Sequence, residues 1–230
     1  MSASHRRETT MITANRMKLV VVLSVFLGVA LSASIAKADV ISVGPGAFPA
    51  GTTPITFTGL ATGTEVNGLN VGGVLFNYSL GNGQVIIDGG PGVTNNVNPQ
   101  NIVSTGNNTG ILTLTLSGLS NTFGYGYAVL SAVPVANATT IRLFNGLTNV
   151  GSLSYNAVLD PTFAGGFAGI QSTILFDRVQ ITFNSSTPAF ALDNVLVANV
   201  SSVPEPATML LLGAGLAGLG AKFRRRRKAD

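Results

Sequence analysis

The sequence predicts an all-β protein: a jelly-roll-like β-sandwich flanked by an N-terminal signal helix and a C-terminal transmembrane helix. Short segments of alternating apolar and polar residues recur through the middle of the chain, separated by clusters of Gly, Asn, Pro and Ser. Residues 40–200 show no sustained helical period, whereas each end of the chain holds a continuous apolar run beside basic residues. About ten short strands favour two packed sheets over one open sheet.

The strands are predicted from their period of two. Residues 111–117 alternate Ile and Leu with Thr, and residues 178–184 alternate Val, Ile and Phe with polar side chains. The segment 90–110 is rich in Asn, Gly and Pro and is predicted to be a long polar loop, with ligand binding and polar filler as alternative roles. Further strands are predicted near residues 54–58, 73–79, 84–88, 123–129, 139–144, 150–155, 172–177 and 190–198.

An apolar run near the N-terminus predicts a secretory signal peptide. Residues 19–35 are apolar, a lysine precedes them, and Ala36 and Ala38 form the A-x-A pattern of a signal cleavage site. We therefore expect cleavage after Ala38, with Met1 or Met17 as the true start. An uncleaved anchor helix is the alternative that the same run allows.

The C-terminus has three consecutive parts. Pro204 and Pro206 bracket Glu205 and disfavour helix, so this stretch is expected to be extended and accessible. Residues 207–221 carry no charge and would reach about 22 Å as a helix, short of a hydrocarbon core of about 30 Å but close enough for a thinned bilayer. A buried core helix is the alternative. Basic flanks resist translocation, which predicts a cytoplasmic stop signal at Lys222, Arg224, Arg225, Arg226, Arg227 and Lys228.

These features divide the chain into five parts. The part between the two ends is large enough to bury a core without disulfides, and one domain is expected there. The parts are a signal peptide at 1–38, a β-sandwich domain at 39–199, a linker with the Pro-Glu-Pro stretch at 200–206, a transmembrane helix at 207–221 and a basic cytoplasmic tail at 222–230.

Composition excludes several classes of function once the ends are set aside. The formal charge of +4 comes from the termini: residues 39–206 hold two basic and seven acidic residues, a formal charge of −5. We therefore expect no nucleic-acid partner, because the domain lacks the cations that contact phosphates. The chain has no cysteine, and its one histidine, His5, precedes the domain. Thiolate metal sites and the usual general base are thus absent from the domain's sequence.

The three-part C-terminus resembles the PEP-CTERM sorting signal. The residues that carry the resemblance are Val203, Pro204, Glu205 and Pro206, followed by the apolar run and the arginine cluster. The resemblance implies a Gram-negative envelope protein, anchored in the inner membrane as a precursor and processed by an exosortase, a cysteine transpeptidase-like membrane enzyme. It also implies that these four residues are substrate positions, and that the product resides at the cell surface or in the extracellular matrix.

The last predicted strand is similar to the ending of many PEP-CTERM surface proteins. In those proteins an F-x-L-D-N-V pattern closes a jelly-roll-like domain before the sorting signal. The matching residues here are Phe190, Leu192, Asp193, Asn194 and Val195. This resemblance supports the sandwich and says little about a ligand.

Two groups of residues are candidates for ligand binding. Tyr125 and Tyr127 alternate with glycine and form either a platform on which sugar rings stack or part of the core, with the glycines allowing close approach on the other side. Asp193 and Asn194, with Asp177, either supply oxygen ligands to a structural calcium ion or satisfy backbone donors in turns. No other cofactor and no further metal site is expected.

A catalytic site is not expected. A glycosidase needs two positioned carboxylates, and the acids in the domain appear singly, without a spacing that pairs them on one strand face. The expected function is a structural or adhesive role in the envelope or in extracellular polysaccharide. The first alternative is a carbohydrate- or calcium-binding lectin-like module. The distant alternative is a glycoside hydrolase, which would require two carboxylates to converge among Glu65, Asp88, Asp160, Asp177 and Asp193.

Overall fold

Ten β-strands and one short 3-10 helix form the regular structure of the described residues. The computed structural model describes residues 39–94, 96–106, 108–160 and 163–199. The all-β prediction is confirmed for this part of the chain. The elements are β1 (Val40–Ser42), the 3-10 helix (Pro45–Ala47), β2 (Leu69–Val71), β3 (Val74–Tyr78), β4 (Val85–Asp88), β5 (Asn101–Ser104), β6 (Leu112–Val129), β7 (Val135–Asn145), β8 (Thr148–Asp160), β9 (Phe163–Phe183) and β10 (Phe190–Ala198).

The ten strands are joined by hydrogen bonds into one antiparallel network. Its main path runs β4-β5-β10-β6-β9-β7-β8. β3 pairs with the first part of β6 and carries β2 on its other side, whereas β10 pairs with the second part of β6. β1 pairs with the first part of β9, and β7 pairs with the second part. The long strands β6 and β9 therefore run through two half-sheets, the first with β2, β3 and β7 and the second with β1, β4, β5 and β10. β8 pairs with β7 in the first half-sheet and with the beginning of β9 in the second.

Both long strands change the side that faces the core where they pass between the half-sheets. The register of β6 against β9 shifts on either side of Ser120. Three successive residues are exposed at this point in each strand, 117–119 in β6 and 173–175 in β9. The inward positions change parity across the shift: in β6 they are Leu112, Leu114 and Leu116 before it, and Phe123, Tyr125, Tyr127 and Val129 after it.

The two half-sheets share one hydrophobic core. A single cluster of buried side chains contains Leu112 and Leu114 from the first half-sheet together with Phe123 and Leu192 from the second. Burial of this apolar surface is the main favourable term in folding, at roughly 25 cal/mol per Å². The alternating leucines and aromatics that predicted strands are thus the residues that hold the half-sheets together.

The predicted strands are present with three differences. Residues 54–58 were predicted as a strand, but only Ile55 forms a bridge there, with Val195. The chain turns away after it, because the Phe57 carbonyl oxygen accepts from the N–H of Leu60 and is not available to β10. Segments predicted as separate strands merge into β6 and into β9. The predicted polar loop 90–110 contains β5, which the apolar pair Ile102 and Val103 places in the sheet.

The predicted terminal segments lie outside the described residues. These segments are the signal peptide at 1–38, including Ala36 and Ala38, and the transmembrane helix at 207–221 with the basic tail at 222–230. Within the described ranges, no helix combines the length and the apolarity needed to cross a membrane.

Candidate functional site

The row of aromatic residues in β6 lies in the core. Phe123 and Tyr125 are fully buried and Tyr127 is 1% exposed. The Tyr125 hydroxyl is 2.5 Å from Thr139 Oγ1, and the Tyr127 hydroxyl donates to the Asn156 carbonyl oxygen at 2.9 Å. The rings therefore present no face to a sugar, and of the two alternatives predicted for Tyr125 and Tyr127 the structure has the core position and not the stacking platform.

Burial affects the ionisation of all four tyrosines in the chain. Loss of solvation raises the pKa of Tyr127 and of Tyr155 to about 12. It also raises the pKa of Tyr78, and it raises the pKa of Tyr125 well above 10. The fold thus prefers the neutral phenols. Their stabilising contribution is complete below the unfolded pKa of about 10 and is lost as the pH rises through the folded values.

We expect alkaline unfolding between about pH 10 and pH 12. Far-ultraviolet circular dichroism and the phenolate absorbance, recorded together during a base titration, should change in one step. In the Tyr127→Phe variant the step should move to higher pH, because one buried group no longer ionises. Tyrosine ionisation near pH 10 with the circular dichroism unchanged would contradict the burial of these rings.

The outer side of β6 is covered by the loop that joins β4 to β5. A Cβ atom at Gly126 would overlap the carbonyl oxygen and the side chain of Asn96. Val97, in the same loop, is fully buried against Ala128 and Ala191. Glycine is needed at position 126 because the loop backbone approaches the strand so closely. We refer to residues 89–100 as the covering loop.

Asp193 and Asn194 hold the covering loop on the sheet. Asp193 is 1% exposed, and its Oδ2 accepts a hydrogen bond from the backbone N–H of Asn98 at 3.0 Å. Asn194 adopts a left-handed φ of 52° at a bulge in β10, and its Nδ2 donates to the Asn96 carbonyl oxygen at 2.8 Å. Burial raises the pKa of the Asp193 carboxyl, while the amides of Asn194 and Asn98 oppose that change.

The sequence did not identify the partners of Asp193. Asn98 and Asn101 lie more than ninety residues earlier, and Asn101 Nδ2 donates to the Asn98 carbonyl oxygen at 3.0 Å. Their only sequence signal was a concentration of asparagines in a segment predicted as a loop. Among the described residues, no group of three or more His, Cys, Asp or Glu side chains is placed to hold a metal ion.

Three of the other acids stabilise turns. Glu65 Oε2 accepts from the N–H of Gly83 at 2.9 Å, and Asp88 Oδ1 accepts from its neighbour Gly89 at 2.7 Å. Asp177 accepts from the N–H of Gly146 at 3.1 Å, in the turn between β7 and β8. Asp177, in β9, thus satisfies a backbone donor of the β7–β8 turn, which is the second of the two roles predicted for it.

Both ends of the described domain leave from the same side of the second half-sheet, where its strands end next to the first half-sheet. The N–H of Asp39 donates to Thr173 Oγ1 at 3.2 Å, and Asn199 Nδ2 donates to the Leu119 carbonyl oxygen at 3.0 Å. These contacts lie at the strand irregularities of β9 and β6. The strand order β1-β9-β6-β10 separates the two ends by three strand spacings, about 14 Å. We call this side the terminal edge.

Comparison with known proteins identifies the segment attached to the terminal edge. A family model described as the PEP-CTERM protein-sorting motif matches residues 202–227. The chain carries a PEP-CTERM sorting motif. The motif marks the chain as an exported, surface-directed protein, and processing by an exosortase is the general fate that it implies. It begins three residues after Asn199, and the residues Val203–Pro206 and the basic cluster within it lie outside the described part of the chain.

Solved structures show only distant similarity to this chain. The K2 cleaved adhesin domain of Lys-gingipain is 14% identical over 64% of this chain and 97% of its own, with a TM-score of 0.43. The CBM22 tandem domain of Paenibacillus barcinonensis Xyn10C is 14% identical over 76% of this chain and 49% of its own, with a TM-score of 0.35. A family 29 carbohydrate-binding module is 10% identical over 57% of this chain and 98% of its own, with a TM-score of 0.30. At these values the similarity transfers neither topology nor function. No curated protein matches the chain.

Proposed function

We propose that this protein is a structural or adhesive component of the cell envelope or extracellular matrix of a Gram-negative bacterium. It is exported through the signal peptide at 1–38, anchored in the inner membrane by residues 207–221 and processed by an exosortase at Val203–Pro206. The observation that carries the proposal is the sorting motif at residues 202–227. The terminal edge supports it, because the motif follows directly from the last described residue of a folded domain.

The fold that we propose for the mature domain is a jelly-roll-like β-sandwich. Two half-sheets around one core, with long strands running through both, support this arrangement. An acidic body without cysteine suits an exported domain that relies on packing for its stability. The proposal includes no catalytic activity, because Glu65, Asp88 and Asp177 serve the turns described above.

We propose that the mature protein is a component of a matrix of extracellular polysaccharide. The alternative is a lectin-like module that stacks sugars on aromatic rings. Tyr125 and Tyr127, the residues predicted for that role, are buried. Among the described residues, every aromatic side chain is buried or half-buried. Contacts with polysaccharide would therefore be made by Asn, Ser and Thr, which supply most of the exposed polar side chains of the described residues.

The decisive test is the intact mass of the protein recovered from the surface or medium of a host with exosortase machinery. We expect a polypeptide that begins near Asp39 and ends near Pro206. A variant with Pro204→Ala, Glu205→Ala and Pro206→Ala should retain residues 207–230 and remain in the inner membrane, because the segment that the enzyme reads is lost.

The matched control is Ser201→Ala, which alters the adjoining linker and leaves the Pro-Glu-Pro stretch intact. It should be processed like the unmodified protein. Recovery of the unmodified protein with Lys222–Lys228 still attached would contradict exosortase processing, and the domain would then be a membrane-tethered protein.

A further inference from the structure

Unpartnered buried oxygens concentrate at one place, under the covering loop. In the described part of the chain, five buried side-chain polar atoms have no hydrogen-bond partner. Four of them are oxygens from this region: Thr94 Oγ1, Gln100 Oε1, Asn101 Oδ1 and Asp193 Oδ1. Buried polar atoms that lack a partner destabilise the fold, so native proteins provide one, which is often water or an ion.

The register of the strands brings two of these oxygens together. β10 pairs with β5 at Ala191 with Val103 and at Leu192 with Ile102, where the pairing ends, and continuing this register by one residue would set Asp193 opposite Asn101. Directly opposed residues share a face, with Cβ atoms about 5 Å apart. Both side chains also bind the same loop residue: Asp193 accepts from the Asn98 N–H, and Asn101 donates to the Asn98 carbonyl oxygen, each at 3.0 Å.

A second carboxylate, that of Asp88, lies in line with Asp193 and Asn101, and we refer to these three side chains as the row. Asp88 is paired with Asn101 across β4 and β5, so Asp88, Asn101 and Asp193 occupy equivalent positions on three neighbouring strands. Ile87, Ile102 and Leu192, one position away on the same strands, are fully buried in the core, which places the row on the opposite face of the sheet, beneath the covering loop.

Within the described ranges, no basic residue lies on the three strands that carry Asp88, Asn101 and Asp193. Between Lys37 and Lys222 the sequence holds two basic residues, Arg142 and Arg178. Arg142 is exposed on β7, and Arg178 donates to the Gly146 carbonyl oxygen at 2.8 Å beside the β7–β8 turn. Both belong to the first half-sheet, whereas the row spans the second. Two carboxylates and several amide oxygens without a positive partner favour a bound hard cation.

We propose that a calcium ion binds between the sheet and the covering loop, with Asp193 and Asn101 as its central ligands. Ca²⁺ takes six to eight oxygen ligands at about 2.3–2.6 Å, including carboxylates, amide carbonyls and main-chain carbonyls. Asp88, which pairs with Asn101, and the unpartnered oxygens of Thr94 and Gln100 are the candidates for further side-chain ligands, and loop carbonyls and water complete the shell. The ion holds the covering loop on the sheet and offsets the cost of burying Asp193.

The test is thermal unfolding of the purified full chain in detergent, first in chelator and then with calcium chloride up to about 10 mM. Extracellular calcium modules bind with Kd values of about 0.1–1 mM, so this range should reach saturation. We expect a rise of several degrees in Tm. An unchanged Tm would overturn the proposal and leave water as the partner of these oxygens.

Two Asp→Asn variants separate this site from adventitious surface binding. In Asp193→Asn the calcium-dependent rise should disappear, whereas in chelator this variant should be at least as stable as the unmodified protein, because a buried charge is removed. Asp177→Asn, at the exposed β7–β8 turn, should keep the full rise. An equal rise in Asp193→Asn and in the unmodified protein would overturn the proposal. The result does not depend on whether residues 207–230 are removed, so it is independent of the sorting test.

Discussion

Replacing Phe123 with alanine should cost about 3–5 kcal/mol of the free energy of unfolding. Phe123 is fully buried, packs 5.8 Å from the Tyr125 ring and is opposed by Ile170 in β9 and Val197 in β10. The half-sheets pack on each other through this layer, so its removal leaves a cavity between them. A domain of this size is stable by about 5–15 kcal/mol, which makes the loss a large part of the total.

Chemical denaturation of the full chain in detergent, followed by circular dichroism, measures this loss. Leu147→Ala provides the control, because Leu147 is 92% exposed at the β7–β8 turn and should change the stability by less than about 0.5 kcal/mol. If Phe123→Ala cost less than about 1 kcal/mol, the ring would not lie in the core that joins the half-sheets.

Replacing Gly126 with alanine should cost about 1–3 kcal/mol and displace the covering loop. The added methyl group would occupy the position of the Asn96 carbonyl oxygen, which is main chain and cannot rotate away. Movement of Asn96 would break its hydrogen bond from Asn194 and would draw Asn98 away from Asp193.

Hydrogen exchange resolved by peptide, together with denaturation, detects both effects. Backbone amides of residues 94–101 should lose protection in Gly126→Ala. Gly118→Ala is the matched control: it lies in the same strand, and a Cβ atom there would meet nothing within 4 Å. Unchanged protection of the loop in Gly126→Ala would show that the loop does not rest on the strand.

The sequence predicted the strands well where one face is buried and alternation is regular. Val179, Ile181 and Phe183 were assigned to one face and are all buried. The continuity of β6 was not predicted, because the change of inward face around Ser120 interrupts the period of two and makes one strand resemble two.

The candidate site was less accessible to sequence reasoning. The spacing of Tyr125 and Tyr127 places both rings on one face, but it does not say which face is buried, and both faces of this strand are covered. Asp193 stood out as an isolated acid in an apolar strand. Its hydrogen-bond partner Asn98 did not, because a contact across more than ninety residues is set by the fold and not by local pattern.

The terminal edge lies close to the bilayer in the proposed precursor. Both leaving points lie within about 14 Å of each other, and the seven residues 200–206 can reach at most about 25 Å. A domain attached in this way keeps one pole near the bilayer and turns the other pole, with the turn at 80–83 and the loop at 184–188, toward the periplasm. Cleavage near Pro206 would remove this restraint and leave the terminal edge as accessible as the opposite pole.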